Sequence, residues 1–302
     1  MINTLLNKME GAYAENTIRA YRIDFEVFSH WCNSEGLCPL PSNPETICDF
    51  ISFDMKESSA STIRRRMASI RKIHKLARME DPTKDEDVFL ALRRMHRTKG
   101  RWQRQAFAMT REVLSQLLDI TDNSIKGYRD RALLLFAYDS MRRRSELCDC
   151  EWSDISSNED GTGSWFMRFS KSDQEGYGKH IPLNVEAVKA LQEWKCHANI
   201  TDGKVLRGFI RQQTIGLSLD SCHIAKIFKK LAKKAQFNEK IMRDISGHSA
   251  RVGHAHDLLK EGKSLPQIMV AGGWKSTDVV MRHIENSNTI NRPVSSPMTM
   301  HV

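Results

Sequence analysis

The sequence has 302 residues, enough to bury a substantial core and to form one or two domains. Its 46 lysine and arginine residues exceed its 37 aspartate and glutamate residues, and the resulting net charge of +9 favours polyanionic partners such as nucleic acid. The N-terminus lacks an apolar stretch of signal-peptide length, and the longest apolar run, 132–138, is too short for a membrane span. The seven cysteines are odd in number and lack zinc spacing, so we expect free thiols in a reducing cytoplasm.

Helical periodicity dominates the N-terminal part of the chain. Apolar residues recur at helical spacing over 16–31, and further helices are predicted over 45–55, 58–79 and 84–97. His74 lies on the apolar stripe of the third of these helices, and we interpret it as a packed core residue rather than a ligand.

The helix predicted over 58–79 carries almost only positive charge, with Glu80 as the nearest opposing residue. Like charges at i, i+4 destabilise a helix, so a face with a purely structural role would mix signs. We therefore interpret it as facing DNA phosphates, and a solvated face is the alternative. The candidate DNA-binding residues of this half are Arg64, Arg65, Arg71, Lys72, Lys75, Arg97 and Lys99.

The remainder reads as a linker followed by a second domain. Residues 99–108 are polar, basic and without period, and Thr110 is expected to cap the helix that opens a domain over 109–286. A buried helix is predicted over 128–140, and two short strands, 164–169 and 180–183, are predicted to pair antiparallel around a loop that contains Lys171. Helices follow over 185–196 and 221–235; the second contributes Lys229 and Lys230 as candidate DNA-binding residues, and the tail 287–302 is expected to be extended or to dock on a neighbour.

The stretch 246–286 carries the most informative pattern. It predicts a turn, a helix over 250–261, a helix entered at Leu265-Pro266, and a last helix after Trp274. His248 and Arg251 are three residues apart, so one helical turn aims both side chains at the same point. Together with the indole of Trp274 they form a donor-only cluster, which suits an anion that gains charge in a transition state, such as phosphate.

His254 and His256 suggest a metal site with His248, but no acidic residue or cysteine stands at zinc spacing. We favour a helix on which one of these two histidines faces the core and the other faces solvent.

The sequence resembles the tyrosine recombinase (phage integrase) family. The resemblance is carried by Ser246 to Gly253 (SGHSARVG), Ile268-Met269, Ala271 to Trp274 (AGGW) and Val280-Met281, and it extends upstream to Arg143 and Lys171. It implies a mainly α fold with a small antiparallel β-sheet. An N-terminal helical core-binding domain (1–98) and a C-terminal integrase-type catalytic domain (109–286) would close around DNA as a clamp.

The resemblance also implies roles for the site residues. Arg143 and Arg251 would hold the two non-bridging oxygens of one phosphate, while Arg142 and Arg144 suit the surface better. Glu146 could orient Arg143 through a bidentate pair. Lys171 would be the general acid for the departing 5′-oxygen, and His248 and Trp274 would donate to the phosphate.

One departure from the family pattern concerns the nucleophile. His283 stands where the family has its tyrosine, and the sequence has no tyrosine after Tyr177. Three explanations are open: an engineered or acquired loss of cleavage, a natural variant used for binding or regulation, or a histidine that acts as the nucleophile. We favour the two non-cleaving explanations, because imidazole is shorter than a phenol and small positioning errors are costly.

The resemblance implies partners as well. Two protomers would occupy an inverted-repeat site on double-stranded DNA, and two such dimers would form a homotetramer that exchanges strands through a Holliday junction. No metal or nucleotide cofactor, membrane or small-molecule substrate is expected. Type IB topoisomerases share the active-site logic, but the length and N-terminal half argue against them. The alternative function is a sequence-specific DNA-binding protein that has kept the fold without the chemistry.

Overall fold

Residues 2–100, 104–170, 176–211 and 214–284 are described by a computed structural model of the chain. The chain is mostly helical and divides into two units, residues 1–103 and 104–302. Within residues 2–100 the helices are α1 (Ile2–Asn7), α2 (Glu15–Ser34), α3 (Pro44–Asp54), α4 (Ala60–Leu76) and α5 (Glu86–Lys99), with a short 3-10 helix at Pro82–Lys84.

Side-chain caps and a shared apolar core hold the first unit together. Asn43 accepts a hydrogen bond from the Thr46 amide (2.9 Å), with Pro44 at the first position of α3. The aromatic rings of α2 and α3 pack closely, and the Phe28 and Phe50 centroids lie 5.0 Å apart. His74 is fully buried, which confirms its prediction as a core residue.

The helices of the second unit follow the predicted order, with additional short elements. They are α6 (Arg111–Asp119), α7 (Ile125–Ser140), α8 (Arg144–Asp149), α9 (Val185–His197), α10 (Cys222–Lys234), α11 (Glu239–Asp244), α12 (Ser249–Lys260), α13 (Leu265–Gly272) and α14 (Thr277–Ile284). A 3-10 helix lies at Trp152–Asp154, and the core of the unit is built around large buried side chains of α7, α9, α10 and the sheet, among them Phe136, Trp165, Trp194 and Phe228.

Two small antiparallel sheets complete this unit. β1 (Ile155–Ser157), β2 (Gly163–Met167) and β3 (Lys179–Leu183) pair in that order, with Trp165 opposite Ile155 and Ile181. β4 (Phe209–Ile210) and β5 (Thr214–Ile215) form a separate pair. The pairing of β2 with β3 was predicted. β1 was not, because Ile-Ser-Ser offers neither length nor apolar alternation.

Helix α12 brings the C-terminal stretch together. It packs on α6, α7, α13 and α14. At Gly253, a Cβ would overlap the main chain of Met109, so the helix can lie against that segment only with glycine there. A C-terminal apolar cluster then joins α12 to the last two helices; its members are Met141, Ala255, Ile268, Trp274, Val280 and Ile284.

Residues 104–109 belong to the second unit, although the sequence assigns most of them to the linker. Hydrogen bonds and an ion pair join them to other parts of that unit. Arg104 forms an ion pair with Asp244, and the Phe107 amide donates to the Asp244 carbonyl (2.9 Å). The Met109 amide likewise donates to the carbonyl of Ser249 (3.0 Å), the first residue of α12.

Within the described part of the chain, no helix combines the length and the apolar character that a membrane crossing requires.

Candidate active site

A left-handed residue shapes the turn that presents Arg143. Met141 caps the C-terminal end of α7 with φ 53° and is itself buried, and Arg143 follows two residues later as the N-cap of α8. One carboxylate oxygen of Glu146 accepts from Arg143 Nη1 and the other accepts from the Arg143 main-chain amide, both at 2.8 Å. The predicted bidentate pair between the two side chains is therefore wrong in its geometry, because Glu146 uses one oxygen to cap α8. Glu146 still fixes the guanidinium of Arg143.

Arg142 is buried, and its interpretation as a surface residue is wrong. Only 4% of it is exposed. Its Nε donates to the Ser140 carbonyl (2.7 Å), and its Nη2 donates to the Ala271 carbonyl. Arg144 is exposed, as the sequence predicted. Sequence reasoning thus separated Arg143 from Arg144 but could not show that Arg142 is buried, because its partner carbonyl at Ala271 lies far away along the chain.

His248 and Arg251 flank the start of α12, as their spacing predicted. Arg251 is 4% exposed, and its Nη2 is buried without a hydrogen-bond partner among the described residues. Burial and the charges of Arg143 and Arg142 lower the pKa of Arg251 to about 9, which leaves the guanidinium charged at neutral pH. His248 keeps an exposed surface, yet the protein packed around it, followed by the charges of Arg251, Arg144 and Arg143, lowers its pKa.

Trp274 packs between Arg251 and His283. The guanidinium carbon of Arg251 lies 4.3 Å from the centroid of the indole ring, a cation–π contact. The indole and the imidazole of His283 have centroids 5.9 Å apart. The face of Trp274 therefore positions two other side chains, in addition to any donation from its N–H.

His283 lies on the last described turn of α14. Its main-chain carbonyl accepts a hydrogen bond from His256 Nε2 (2.7 Å), and its own Nδ1 is buried without a partner among the described residues. Burial, followed by the charge of Arg251, lowers the pKa of His283 to about 4. The imidazole is therefore neutral at physiological pH.

His254 and His256 both make internal contacts, so the prediction that one of them faces solvent is wrong. His254 is half-buried; its ring stacks on Tyr138 with centroids 4.4 Å apart, and its Nδ1 contacts the Tyr138 carbonyl. In the described ranges the one group with metal-ligand geometry lies elsewhere, at the exposed residues Asp220, Cys222 and His223.

The structure brings five of the predicted site residues together, along with the predicted supporting residue Glu146. Arg143, His248 and Arg251 are close enough for their charges to interact, and Trp274 links Arg251 to His283. Glu146 supports this group through its ion pair with Arg143. Lys171 lies outside the described residues.

Positive charge is in excess at this site. Arg142, Arg143 and Arg251 carry three positive charges, and Glu146 is the carboxylate that raises the pKa of Arg142 and of Arg251 among the described residues. Buried charges are normally paired, so a cationic cluster with one carboxylate is built to receive an anion.

The basic face of α4 has intramolecular partners that the sequence argument missed. Arg65 pairs with Asp24 (2.8 Å), and Arg71 bonds Thr83 (3.0 Å) and approaches Asp81 (3.3 Å). The acidic residues that balance this helix come from other segments, so the absence of opposing charge along the helix itself was a poor guide. The neighbouring Arg66 is likewise paired with Asp54.

The other predicted DNA-binding residues are mostly exposed. Lys72 donates to the Tyr13 hydroxyl (2.8 Å), whereas Arg64 and Lys75 are exposed and have no ion pair in the part of the chain that the structure describes. Arg97 and Lys99 are exposed at the end of α5, Lys230 is exposed on α10, and Lys229 is half-buried.

Sequence reasoning also missed a buried carboxylate on α12, the helix that carries Arg251. Asp257 on α12 accepts from the Tyr138 hydroxyl and from the Arg111 amide, both at 2.7 Å. It ties α12 to α6 and α7, and it holds the helix that carries Arg251. No local pattern reveals this, because both partners lie more than a hundred residues away along the chain.

Comparison with known proteins gives the same fold and family. Residues 108–289 match the phage integrase family, and residues 6–81 match the phage integrase N-terminal SAM-like domain. The integrase/recombinase xerD homolog of Selenomonas ruminantium is 32% identical over 292 residues, which cover 93% of this chain and 84% of that protein. Recombinase cre of Escherichia phage P1 is 24% identical, over 91% of this chain and 85% of that protein.

A solved structure supports the fold independently. The XerH site-specific recombinase bound to a palindromic difH substrate, in a post-cleavage complex, superposes with a TM-score of 0.67 at 15% identity, over 89% of this chain and 76% of that one. The family match spans more than half of the chain and includes each of the five clustered site residues. The chain belongs to the phage integrase family, the tyrosine recombinases.

Proposed function

We propose that this protein is a site-specific DNA recombinase whose strand-cleavage step is impaired by His283. The observation that carries the proposal is Arg251 Nη2, which is buried inside a cluster with excess positive charge and has no hydrogen-bond partner among the residues that the structure describes. An unsatisfied buried donor on a charged group is costly, and a phosphate oxygen supplied by DNA would satisfy it.

The phosphate is held by the two arginines. Arg143, oriented by Glu146, and Arg251, backed by Trp274, each donate to one non-bridging oxygen of a backbone phosphate. His248 adds a donor as charge develops on these oxygens during attack, and Trp274 is assigned the same role through its indole N–H. Lys171 is assigned the proton transfer to the departing 5′-oxygen, as the resemblance implies.

Cleavage requires a nucleophile at position 283. In the proposed step a nitrogen of neutral His283 attacks phosphorus, the bond from phosphorus to the 5′-oxygen breaks, and the 5′-oxygen leaves with the proton of Lys171. The DNA 3′ end is then joined to the protein through an N–P bond. To complete exchange, a 5′-hydroxyl of another strand attacks this phosphorus, its proton passes to Lys171, and the N–P bond breaks to release the imidazole.

The geometry of histidine explains why this step is slow. Imidazole is shorter than the phenol found in the family, so its nitrogen stops short of the phosphorus when α14 keeps its place. A positional error of about 1 Å costs on the order of 100-fold in rate. The carbonyl of His283 is anchored by His256, which restricts any movement of the helix toward the phosphate.

The assembly is proposed from the relatives. The XerH structure contains a palindromic site, and the relatives are named as recombinases. We assign this chain a double-stranded inverted-repeat site bound by two protomers, two such dimers forming the tetramer in which strands exchange. Arg64 and Lys75 of the first unit and Lys230 of the second contribute phosphate contacts.

A second candidate function is a DNA-binding protein without strand cleavage. The short side chain of His283 favours it, because binding needs the cationic cluster but not a nucleophile within reach of phosphorus. This candidate keeps the phosphate contact and omits covalent chemistry.

The two candidates are separated by a test for covalent adducts. A duplex recovered by repeated selection from a random-sequence library is nicked to make a suicide substrate. It is then incubated with the wild-type protein, His283→Tyr and His283→Ala, and denaturing gels detect any protein–DNA adduct. We expect His283→Tyr to form far more adduct than the wild type, by about 100-fold, and His283→Ala to form none.

Acid treatment identifies the bond, since a phosphoramidate of histidine is acid-labile and a tyrosyl phosphate ester is not. Absence of adduct with both the wild type and His283→Tyr, despite tight DNA binding, would favour the second candidate.

A further inference from the structure

Two cations from distant segments meet at the C-terminal end of α13, which leads directly to Trp274. Arg142 Nη2 donates to the carbonyl of Ala271, and Lys179 Nζ donates to the carbonyl of Val270 (3.1 Å). Helix α13 has no basic residue in its own last turn. Because the last carbonyls of a helix lack partners within it and carry partial negative charge, side chains from elsewhere can cap them.

Arg142 is the buried member of this pair. Its Nε donates to Ser140 in the turn after α7, so a single guanidinium bonds the turn before Arg143 and the end of α13. These acceptors are main-chain carbonyls, and the negative end of the helix dipole compensates part of the buried charge. Lys179 is more exposed, and it is the first residue of β3.

The glycine pair at the C-terminal end of α13, Gly272 and Gly273, lies against these side chains. Gly273 has φ 69°, and a Cβ there would lie 2.5 Å from Arg142 Nη1. At Gly272, a Cβ would overlap the ring of Trp274. The turn is closed by the Gly273 amide on the Val270 carbonyl (3.3 Å) and the Trp274 amide on the Met269 carbonyl (3.0 Å). The indole of Trp274 thus packs against Gly272, and the guanidinium of Arg142 packs against Gly273.

We propose that Arg142, assisted by Lys179, is a positioning residue that caps α13 and thereby sets Trp274 against Arg251. The consequence of this cap is the correct placement of the Arg251 guanidinium for binding phosphate. In this respect the proposal rests on the proposed function. Arg142 itself is assigned no phosphate contact, because its Nε and Nη2 donate to Ser140 and Ala271 and its Nη1 lies against Gly273. Its charge nevertheless acts on Arg251, whose pKa it helps to lower.

The first test measures amide hydrogen exchange in the full-length protein. Loss of a hydrogen bond from a charged donor predicts about tenfold faster exchange at the Gly273 and Trp274 amides in Arg142→Met. In Lys179→Met, which removes an exposed side chain and preserves folding, the same two amides are expected to exchange faster by a smaller factor. Arg142→Lys keeps the charge and is expected to restore part of the protection.

Matched controls come from the same unit. Arg129 is also a buried arginine, paired with Asp130 (2.6 Å), and Lys204 also donates to a main-chain carbonyl, that of Asp149 (2.7 Å). Arg129→Met and Lys204→Met are expected to leave exchange at Gly273 and Trp274 unchanged, apart from any uniform effect of lower stability. Unchanged exchange at these two amides in both Arg142→Met and Lys179→Met would overturn the proposal.

The second test measures binding of inorganic phosphate by thermal shift. Arg142→Met is expected to weaken phosphate binding by about tenfold or more, because misplacement of a binding group is costly. Arg129→Met is expected to bind phosphate like the wild type. Equal phosphate affinity in these two variants would also overturn the positioning role. A wild-type protein that does not bind phosphate would contradict the proposed function, while the exchange experiment would still decide whether Arg142 and Lys179 cap α13.

Discussion

The guanidinium carbon of Arg251 lies 4.3 Å from the centroid of the Trp274 ring, and this contact joins two segments that the sequence separates by 23 residues. It packs the indole against the buried guanidinium, whose Nη2 has no hydrogen-bond partner within the described part of the chain. A cation–π contact in a desolvated setting contributes about 2 kcal/mol. The indole is thus part of the phosphate-binding geometry, and whatever displaces it should displace Arg251.

Substitution of Gly272 tests this coupling. In Gly272→Ala the added methyl group overlaps the Trp274 ring, so the ring must move, and overpacking of this kind costs about 1–3 kcal/mol of unfolding free energy. We expect the variant to lose DNA affinity as well as stability, as measured by urea unfolding and equilibrium binding to the selected duplex. Gly216→Ala is the matched control, since its Cβ meets no atom closer than 3.5 Å. Normal DNA affinity in Gly272→Ala would show that Trp274 does not position Arg251.

The pH dependence of stability should reflect His74. Its Nδ1 lies 2.9 Å from the Ile70 carbonyl, and its Nε2 accepts a hydrogen bond from the Ser42 amide (3.0 Å). Because an accepting Nε2 carries no proton, the folded protein favours the neutral imidazole. Burial lowers the pKa of His74 in the folded state. The unfolded chain therefore takes up a proton more readily, and the stabilisation is present above the ordinary histidine pKa of about 6.5 and is lost as the pH falls below it.

The measurement compares urea midpoints of the wild type and His74→Gln at several pH values between neutrality and pH ~5, across the histidine titration range. We expect the wild type to lose more stability than the variant as the pH falls. Parallel pH profiles for the two proteins would contradict this account of His74.

Glu146→Gln tests the support of Arg143. A glutamine side chain can still accept the Arg143 amide through its oxygen, but it removes the charge that holds the guanidinium. We expect DNA affinity to fall by about tenfold, the equivalent of one charge-assisted hydrogen bond. Glu159→Gln is an exposed control with no expected effect. Unchanged affinity in Glu146→Gln would mean that Arg143 is oriented by other contacts.

Salt dependence separates the basic residues that are available to DNA from those already paired. Affinity for DNA should fall steeply with salt, because each neutralised phosphate releases counterions. Arg64→Gln and Lys75→Gln should each reduce the slope by about one phosphate contact. Arg66→Gln should leave the slope unchanged, because Arg66 is engaged with Asp54, although its loss should lower stability. If all three variants had the same salt slope as the wild type, α4 would not be part of the DNA-binding surface.

The long helices and the core of the site were predictable from local patterns, and the missed features depend on distant partners. Periodicity identified α2, α4 and α7, and the three-residue spacing placed His248 and Arg251 on one turn. By contrast, Arg142 is buried against a carbonyl 129 positions away, and Asp24 and Asp54 neutralise α4 from other helices. Side-chain pairing of this kind has no periodic signal. β1 and the two-residue strands β4 and β5 were missed because they are too short to show alternation.

The most direct measurement of the central claim is covalent adduct formation on the suicide substrate by His283→Tyr, compared with His283→Tyr/Arg251→Gln. If Arg251 and its neighbours hold the phosphate that is cleaved, His283→Tyr forms the adduct. The second substitution should then reduce the rate by at least about 100-fold, with DNA binding retained through the basic helices. Equal rates for the two proteins would contradict the claim, because cleavage would then proceed without the guanidinium at the centre of the site.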